Sequence, residues 1–186
     1  MTATSGTKRN AGQETAQKHK WGLYEWSVIG FCIILPILGV AADAVVVIPA
    51  NPDVSALHTI VLEAFMWFVF GCVGLRLGSA GLKQTFTPGF TASELLGIND
   101  DSANHLVREL GFANICLGIL GVASLFFGAF RMPAFIAGGL FFVLTGVQHL
   151  VRRIRGTAYS GETFPMVSDL IIACWLIILA VASFVV

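Results

Sequence analysis

The chain has 186 residues, 56% of them hydrophobic and 12% charged, with a mean hydropathy of +0.81. A soluble domain carries about 25% charged residues, so this deficit excludes an ordinary water-soluble globule and puts the chain in the membrane class. A net charge of zero offers nothing to a polyanion, so no nucleic-acid partner is expected, and the partner that the composition implies is the lipid bilayer.

Residues 1–20 are polar, lack an apolar period and read as a disordered tail. Residues 21–186 read as one transmembrane domain. It opens on "WGLYEW", with Trp21, Tyr24 and Trp26 at the expected headgroup level. A signal peptide is the competing reading, because Ile29 to Val40 resembles an h-region and Ala42-Asp43-Ala44 a cleavage site. The apolar run, however, continues through "VVVIP" and exceeds the ~7–15 residues of an h-region.

A spanning helix needs roughly 20 mostly apolar residues. Five segments qualify: 26–48, 56–78, 107–130, 133–151 and 166–186. The fold class is therefore all-α, an integral membrane bundle of five transmembrane helices. Pro49 and Pro52 punctuate the first connection, while Pro133 and Pro165 open the fourth and fifth spans, where a missing N–H costs nothing. The long connection from 79 to 106 contains Thr91 and Glu94 at capping-box spacing, which predicts a short surface helix near 92–97. "NDDSAN" follows as a turn that caps the third span.

Lysine and arginine set the orientation. Lys8, Arg9, Lys18, Lys20, Arg76, Lys83, Arg108, Arg152, Arg153 and Arg155 fall on one side of a five-span bundle, and Arg131 alone on the other. This places the N-terminus in the cytoplasm and the protein in the cell inner membrane, as a multi-pass chain.

At 100° per residue, the polar residues gather in two layers. Asp43 and Glu63 lie at similar depth toward the outer side, two intramembrane acids with little basic compensation; such acids are paired, protonated or in contact with water. The cytoplasmic layer holds Arg76, His105, Arg108, Glu109, His149 and Asp169. Arg108 and Glu109 are expected to join His149, Arg152 and Asp169 in an ion-pair network or ligand site. Asn114 lies on a stripe with Gly111, Gly118, Gly121 and Gly128, a pattern that fits helix–helix packing with one interhelical amide bond. Pro36 should kink the first span.

Cys32, Cys72, Cys116 and Cys174 all fall in apolar runs and read as buried, reduced thiols, not a disulfide framework. No HExxH, Glu-x-x-His, GxSxG, P-loop or GxGxxG occurs. No catalytic residue, metal site or cofactor is predicted, and the chain reads as a non-enzyme.

The stretch "ASELLGINDDSANHLVRELGFANICLGILG", 92–121, with its "RELGFAN" centre, resembles a family of small bacterial integral membrane proteins of unknown function. Ala92, Glu94, Leu96, Gly97, Glu109, Gly111, Phe112, Ala113, Asn114, Gly118 and Gly121 carry the likeness, and "AGGLFFVLTGVQHL", 137–150, is similar to that family's next span. Where relatives carry Trp after the first "IG", this chain has Asn99. The resemblance implies membership of an uncharacterised group and, more loosely, a likeness to DoxX-type membrane proteins, some tied to quinone-linked redox systems. The leading functional expectation is a scaffold or accessory subunit, or a binder of a lipophilic small molecule, acting as a homo-oligomer or within a larger membrane complex. The alternatives are a small proton-coupled transporter and a membrane subunit of a quinone-linked oxidoreductase.

Overall fold

Long apolar runs can satisfy their backbone polar groups only internally when no water is at hand, and the helix does this within one segment. A computed structural model describes residues 22–185; the tail expected over 1–20 lies outside the described residues. Among these, five helices are long and apolar enough to cross a membrane: α1 (Leu23–Ala50), α2 (Ala56–Phe86), α4 (Ala103–Phe126), α5 (Gly128–Ile154) and α6 (Thr163–Val185). A short helix, α3, covers residues 88–95. The outward rows are apolar, with Leu38, Val45, Ile119, Leu144 and Ile178 all exposed, as expected where the surrounding solvent is lipid and not water.

Three elements depart from the sequence reading. Helix α2 runs on to Phe86, well past the expected end at 78. Polar residues such as Lys83 and Gln84 ended the hydropathy signal, yet Gly81 still packs against α4, where an added Cβ would meet the Gly111 carbonyl oxygen at 2.7 Å. Helix α3 starts at Pro88 and not at residue 92, because the proline itself supplies the first helical position. Gly97 then ends the segment with φ +68°, a left-handed conformation that favours glycine. Thr91 is thus buried inside the short helix and does not cap it. The third difference is that α4 stops at Phe126, so Gly128 leaves the expected stripe and would meet nothing with a Cβ.

Helix α2 is the centre of the bundle: half of its apolar window is buried, against 17% for α1. Val69, Cys72, Val73 and Leu77 on it are at most 1% exposed. Its seam with α4 is built from glycines. A Cβ on Gly118 would come within 2.5 Å of the Gly78 Cα, and one on Gly121 would strike the backbone of Gly74. Here the two helix backbones touch, the packing mode that small residues permit.

Two stretches widen to π-helical geometry, Gly30–Ile34 in α1 and Val69–Leu77 in α2. The first precedes Pro36. A proline lacks the N–H that would close the preceding turn, and its ring crowds the carbonyl four residues back. Widening leaves the Phe31 carbonyl oxygen pointing at Gly71, where any Cβ would collide with it. The kink expected at Pro36 is therefore taken up as a π turn seated on a glycine of the next helix. Cys32 and Cys72 are buried near this contact, whereas Cys116 and Cys174 are exposed. The expectation of four buried thiols is corrected for those two, which lie on the outer sides of α4 and α6.

Candidate functional site

The N-terminal start of α1, the end of α2, the start of α4, the end of α5 and the start of α6 share one end of the bundle, called here the tail end. Below α3 at this end lies a cavity of about 120 Å³. Its polar lining comes from Tyr24 of α1, Arg76 and Gln84 of α2, Asn114 of α4, Thr145 and His149 of α5 and Asp169 of α6. Leu77, Leu110, Phe141 and Phe142 supply apolar wall, and Thr91, Leu96 and Pro165 close the end.

Three of these polar residues, Arg76, Asn114 and Asp169, have one atom bonded and another without a partner. The Arg76 Nη2 donates to the Tyr24 hydroxyl at 2.7 Å, and the guanidinium carbon sits 5.0 Å from that ring's centroid. The Arg76 Nε has no hydrogen-bond partner. The Thr145 hydroxyl donates to Asp169 Oδ2 at 3.0 Å, and Asp169 Oδ1 has no partner. The Asn114 Nδ2 donates to Gln84 Oε1 at 2.8 Å, and Asn114 Oδ1 has no partner. Arg76, Asn114 and Asp169 are 7%, 2% and 6% exposed, so water at the bundle surface does not reach these atoms. An unmatched buried polar atom costs about 1–3 kcal/mol, and the three residues that carry one here come from three helices and line the same cavity. Arg76 and Asp169 are close enough to attract one another electrostatically without a hydrogen bond between their free atoms.

Beside the cavity, His149 meets an acid that the sequence reading did not single out. Glu162, 1% exposed, lies 2.9 Å from His149 Nδ1 and 3.0 Å from Arg152 Nη2, and also accepts the backbone N–H of Tyr159 at 3.0 Å. It sits in a short 3₁₀ turn, Ser160–Glu162, where no hydrophobic period marks a residue as inward. Arg108 and Glu109 are exposed; Arg108 Nε donates to the Thr85 carbonyl at 3.3 Å. Of the residues expected in the tail-end network or site, the structure brings together Asn114, His149 and Asp169, and leaves Arg108 and Glu109 on the outside. At 100° per residue His105, Glu109, Phe112 and Cys116 share one side of α4, and all four are exposed, with Glu109 near the helix start.

At the far end, Asp43 and Glu63 face one another, with the two carboxyls within hydrogen-bonding reach and Arg131 near enough to attract them. The Trp67 Nε1 donates to Asp43 Oδ2 at 2.6 Å. Its indole lies over Gly39, where any Cβ would run into the ring. Outside the spans, Asp100 accepts the Ser102 backbone N–H at 2.9 Å, and that bond holds its carboxyl below the usual range. This is the turn expected ahead of α4, but the expected cap is not made, since Ser102 at the N-cap forms no side-chain capping hydrogen bond. Among the described residues, no group of three or more His, Cys, Asp or Glu is placed to hold a metal ion.

The chain belongs to DUF6790, a family of unknown function, whose model matches residues 29–184. The match spans all five long helices and covers the cavity residues except Tyr24. Searches of curated proteins and of solved structures found no match.

Proposed function

We propose that this member of DUF6790 is a multi-pass protein of the cell inner membrane, tail inward, that binds a small polar solute in its tail-end cavity. The observation that carries the reading is that Arg76, Asn114 and Asp169, which line one cavity, each keep a buried polar atom without a partner. A bundle that needed only to hold itself together gains nothing from a guanidinium, an amide and a carboxylate that are each half matched, since an apolar core of the same shape is as stable or more so. The expectation of a lipophilic ligand gives way to a polar one, because the free groups seek hydrogen-bond partners. The Lys/Arg bias supports the inward tail, and the apolar outer surface supports the bilayer. Native mass spectrometry of the protein in mild detergent tests the reading. A small adduct should accompany the wild type and disappear in Asn114→Leu. Failure of every polar solute to bind or stabilise the wild type removes the proposal.

A second reading, transport, is favoured by one further observation. Helix α2 carries Glu63 toward the far end and Arg76 toward the tail end, and Arg76 lies within its π stretch Val69–Leu77. π segments occur often at functional sites, and here one links a carboxyl pair to the cavity. Proton-coupled flux in proteoliposomes should then vanish in Glu63→Gln. Flux that persists with its pH dependence intact takes Glu63 out of the mechanism.

A further inference from the structure

We infer that Cys32 and Cys72 are a redox-sensitive pair, which closes a disulfide between α1 and α2 when oxidised by an organic hydroperoxide from the apolar surroundings. The inference is independent of the solute-binding reading. Cys32 and Cys72 are 5% and 1% exposed, and their thiols lie within hydrogen-bonding reach of one another. The residues just before them, Phe31 and Gly71, are in contact across the two helices, since any Cβ on Gly71 would collide with the Phe31 carbonyl oxygen. Each cysteine lies in a π stretch, and the two stretches pack against each other. The thiols thus meet where the backbones of α1 and α2 meet, the kind of approach that a disulfide requires, with its Cα atoms about 4.4–6.8 Å apart. Cys116 and Cys174 are exposed on other helices and serve as internal controls.

The surroundings select the oxidant. Ile33, Ile34, Ile37 and Leu38, which follow Cys32 on α1, are all exposed, so the outer surface beside the pair is apolar. A disulfide that carries several charges, such as oxidised glutathione, is excluded from such a surface, whereas a lipid-like hydroperoxide partitions to it. Its O–O group is slender and sits on a flexible chain, and so reaches a buried sulfur where a planar quinone ring would meet packed side chains.

One thiolate attacks the outer oxygen of the hydroperoxide. The O–O bond breaks, the alcohol leaves and the sulfur becomes a sulfenic acid. The second thiol attacks that sulfur, the S–S bond forms and water leaves. In total, two S–H bonds and one O–O bond break, two electrons pass from the sulfurs to the peroxide oxygens, and both protons depart in the alcohol and the water. The Arg76 guanidinium is close enough to both sulfurs to act on them electrostatically, and it offers the attacking thiolate a counter-charge. Burial slows the step, which suits a device that records accumulated peroxide more than one that turns it over. The bond would staple α1, the least buried of the long helices, to α2 near the contact of Tyr24 with Arg76.

The test uses the full-length protein in lipid nanodiscs with Cys116→Ser and Cys174→Ser; wild type with its exposed thiols blocked by N-ethylmaleimide replaces that variant if it does not fold. Linoleic acid hydroperoxide should remove the mass of two hydrogen atoms and both titratable thiols, and raise the unfolding temperature by about 5 °C or more. Dithiothreitol should reverse all three changes. Cyanogen bromide cleaves at Met66, between the two cysteines, and the resulting fragments should stay joined until reduced. Oxidised glutathione at the same concentration should react at least about tenfold more slowly. No reaction with the hydroperoxide, or a gain of oxygen without joined fragments, overturns the proposal. Oxidised glutathione or decylubiquinone closing the bond as fast as the hydroperoxide overturns the class of oxidant.

Discussion

Helix α2 meets its neighbours in two opposite ways. Toward α4 it shows Gly74, Gly78 and Gly81 to Gly111, Gly118 and Gly121, and at every one of these but Gly78 an added Cβ would run into the facing backbone. Toward α5 and α6 it shows Arg76 to a cavity whose polar atoms are only half matched. The first contact gains its stability from shape and has nothing left to bind. The second gives up some stability and keeps groups free for something else. A charged side chain in such a bundle is therefore informative according to whether its neighbours complete it, and not by its charge alone.

Substitutions that tell the seam from the polar layer should separate widely. The largest effect is expected from Gly118→Leu, which drives a side chain into the Gly78 backbone. Because backbone cannot swing aside as a side chain would, the loss should exceed about 3 kcal/mol, the upper end of ordinary overpacking, and be read as aggregation or a collapsed unfolding temperature in detergent. Normal folding of this variant would mean that the seam is not tight.

Next is Glu162→Ala, which strips two partners from the matched part of the polar layer. Breaking a buried pair costs about 3–5 kcal/mol; Arg152 is 34% exposed, so solvent screening lowers the expectation to about 2 kcal/mol. Thermal unfolding in nanodiscs measures it. Asn114→Leu stands on the border between the two regions, since its side chain bridges to Gln84 and also faces the cavity. It should cost about 1 kcal/mol, the net worth of one hydrogen bond, while removing solute binding altogether. Equal losses of stability and binding would merge the two regions into one. The smallest change is expected for Glu109→Ala, within about 0.5 kcal/mol as for other surface sites. Melting of that variant far below wild type would put Glu109 back among the paired groups.

The contrast between Glu162 and Glu109 also shows what the sequence could reveal. Hydropathy located all five long helices, because a run of apolar residues long enough to span leaves little ambiguity. The periodicity reads α1 in part: of Glu25, Cys32, Pro36, Gly39 and Asp43, which a 100° step puts on one side, the first four are buried and Asp43 is half-buried. It sorted α4 into two sides, with Gly111, Asn114, Gly118 and Gly121 inward. A wheel has no sign for charge near a helix end, however, and Glu109 was assigned to the bundle because charge in a membrane usually seeks a partner. Glu162 lies in a turn, where no period exists to read. On α2 the fixed 100° step fails through Val69–Leu77, since a π turn holds more residues than an α turn. Gly71 consequently meets α1, while Gly74 and Gly78 meet α4, although a uniform 100° step puts all three on one side.

The placement of Arg76 between Tyr24 and Asp169 has a consequence for the order of assembly. Chains emerge from the N-terminus onward, so the phenol from the first helix is at hand when the second arrives, but the carboxylate comes with the last. Until then the guanidinium sits in the nascent bundle without the carboxylate that attracts it. A truncation that removed only the final helix would therefore lose more than a packing surface: it would strand a cation beside the most buried stretch of the protein.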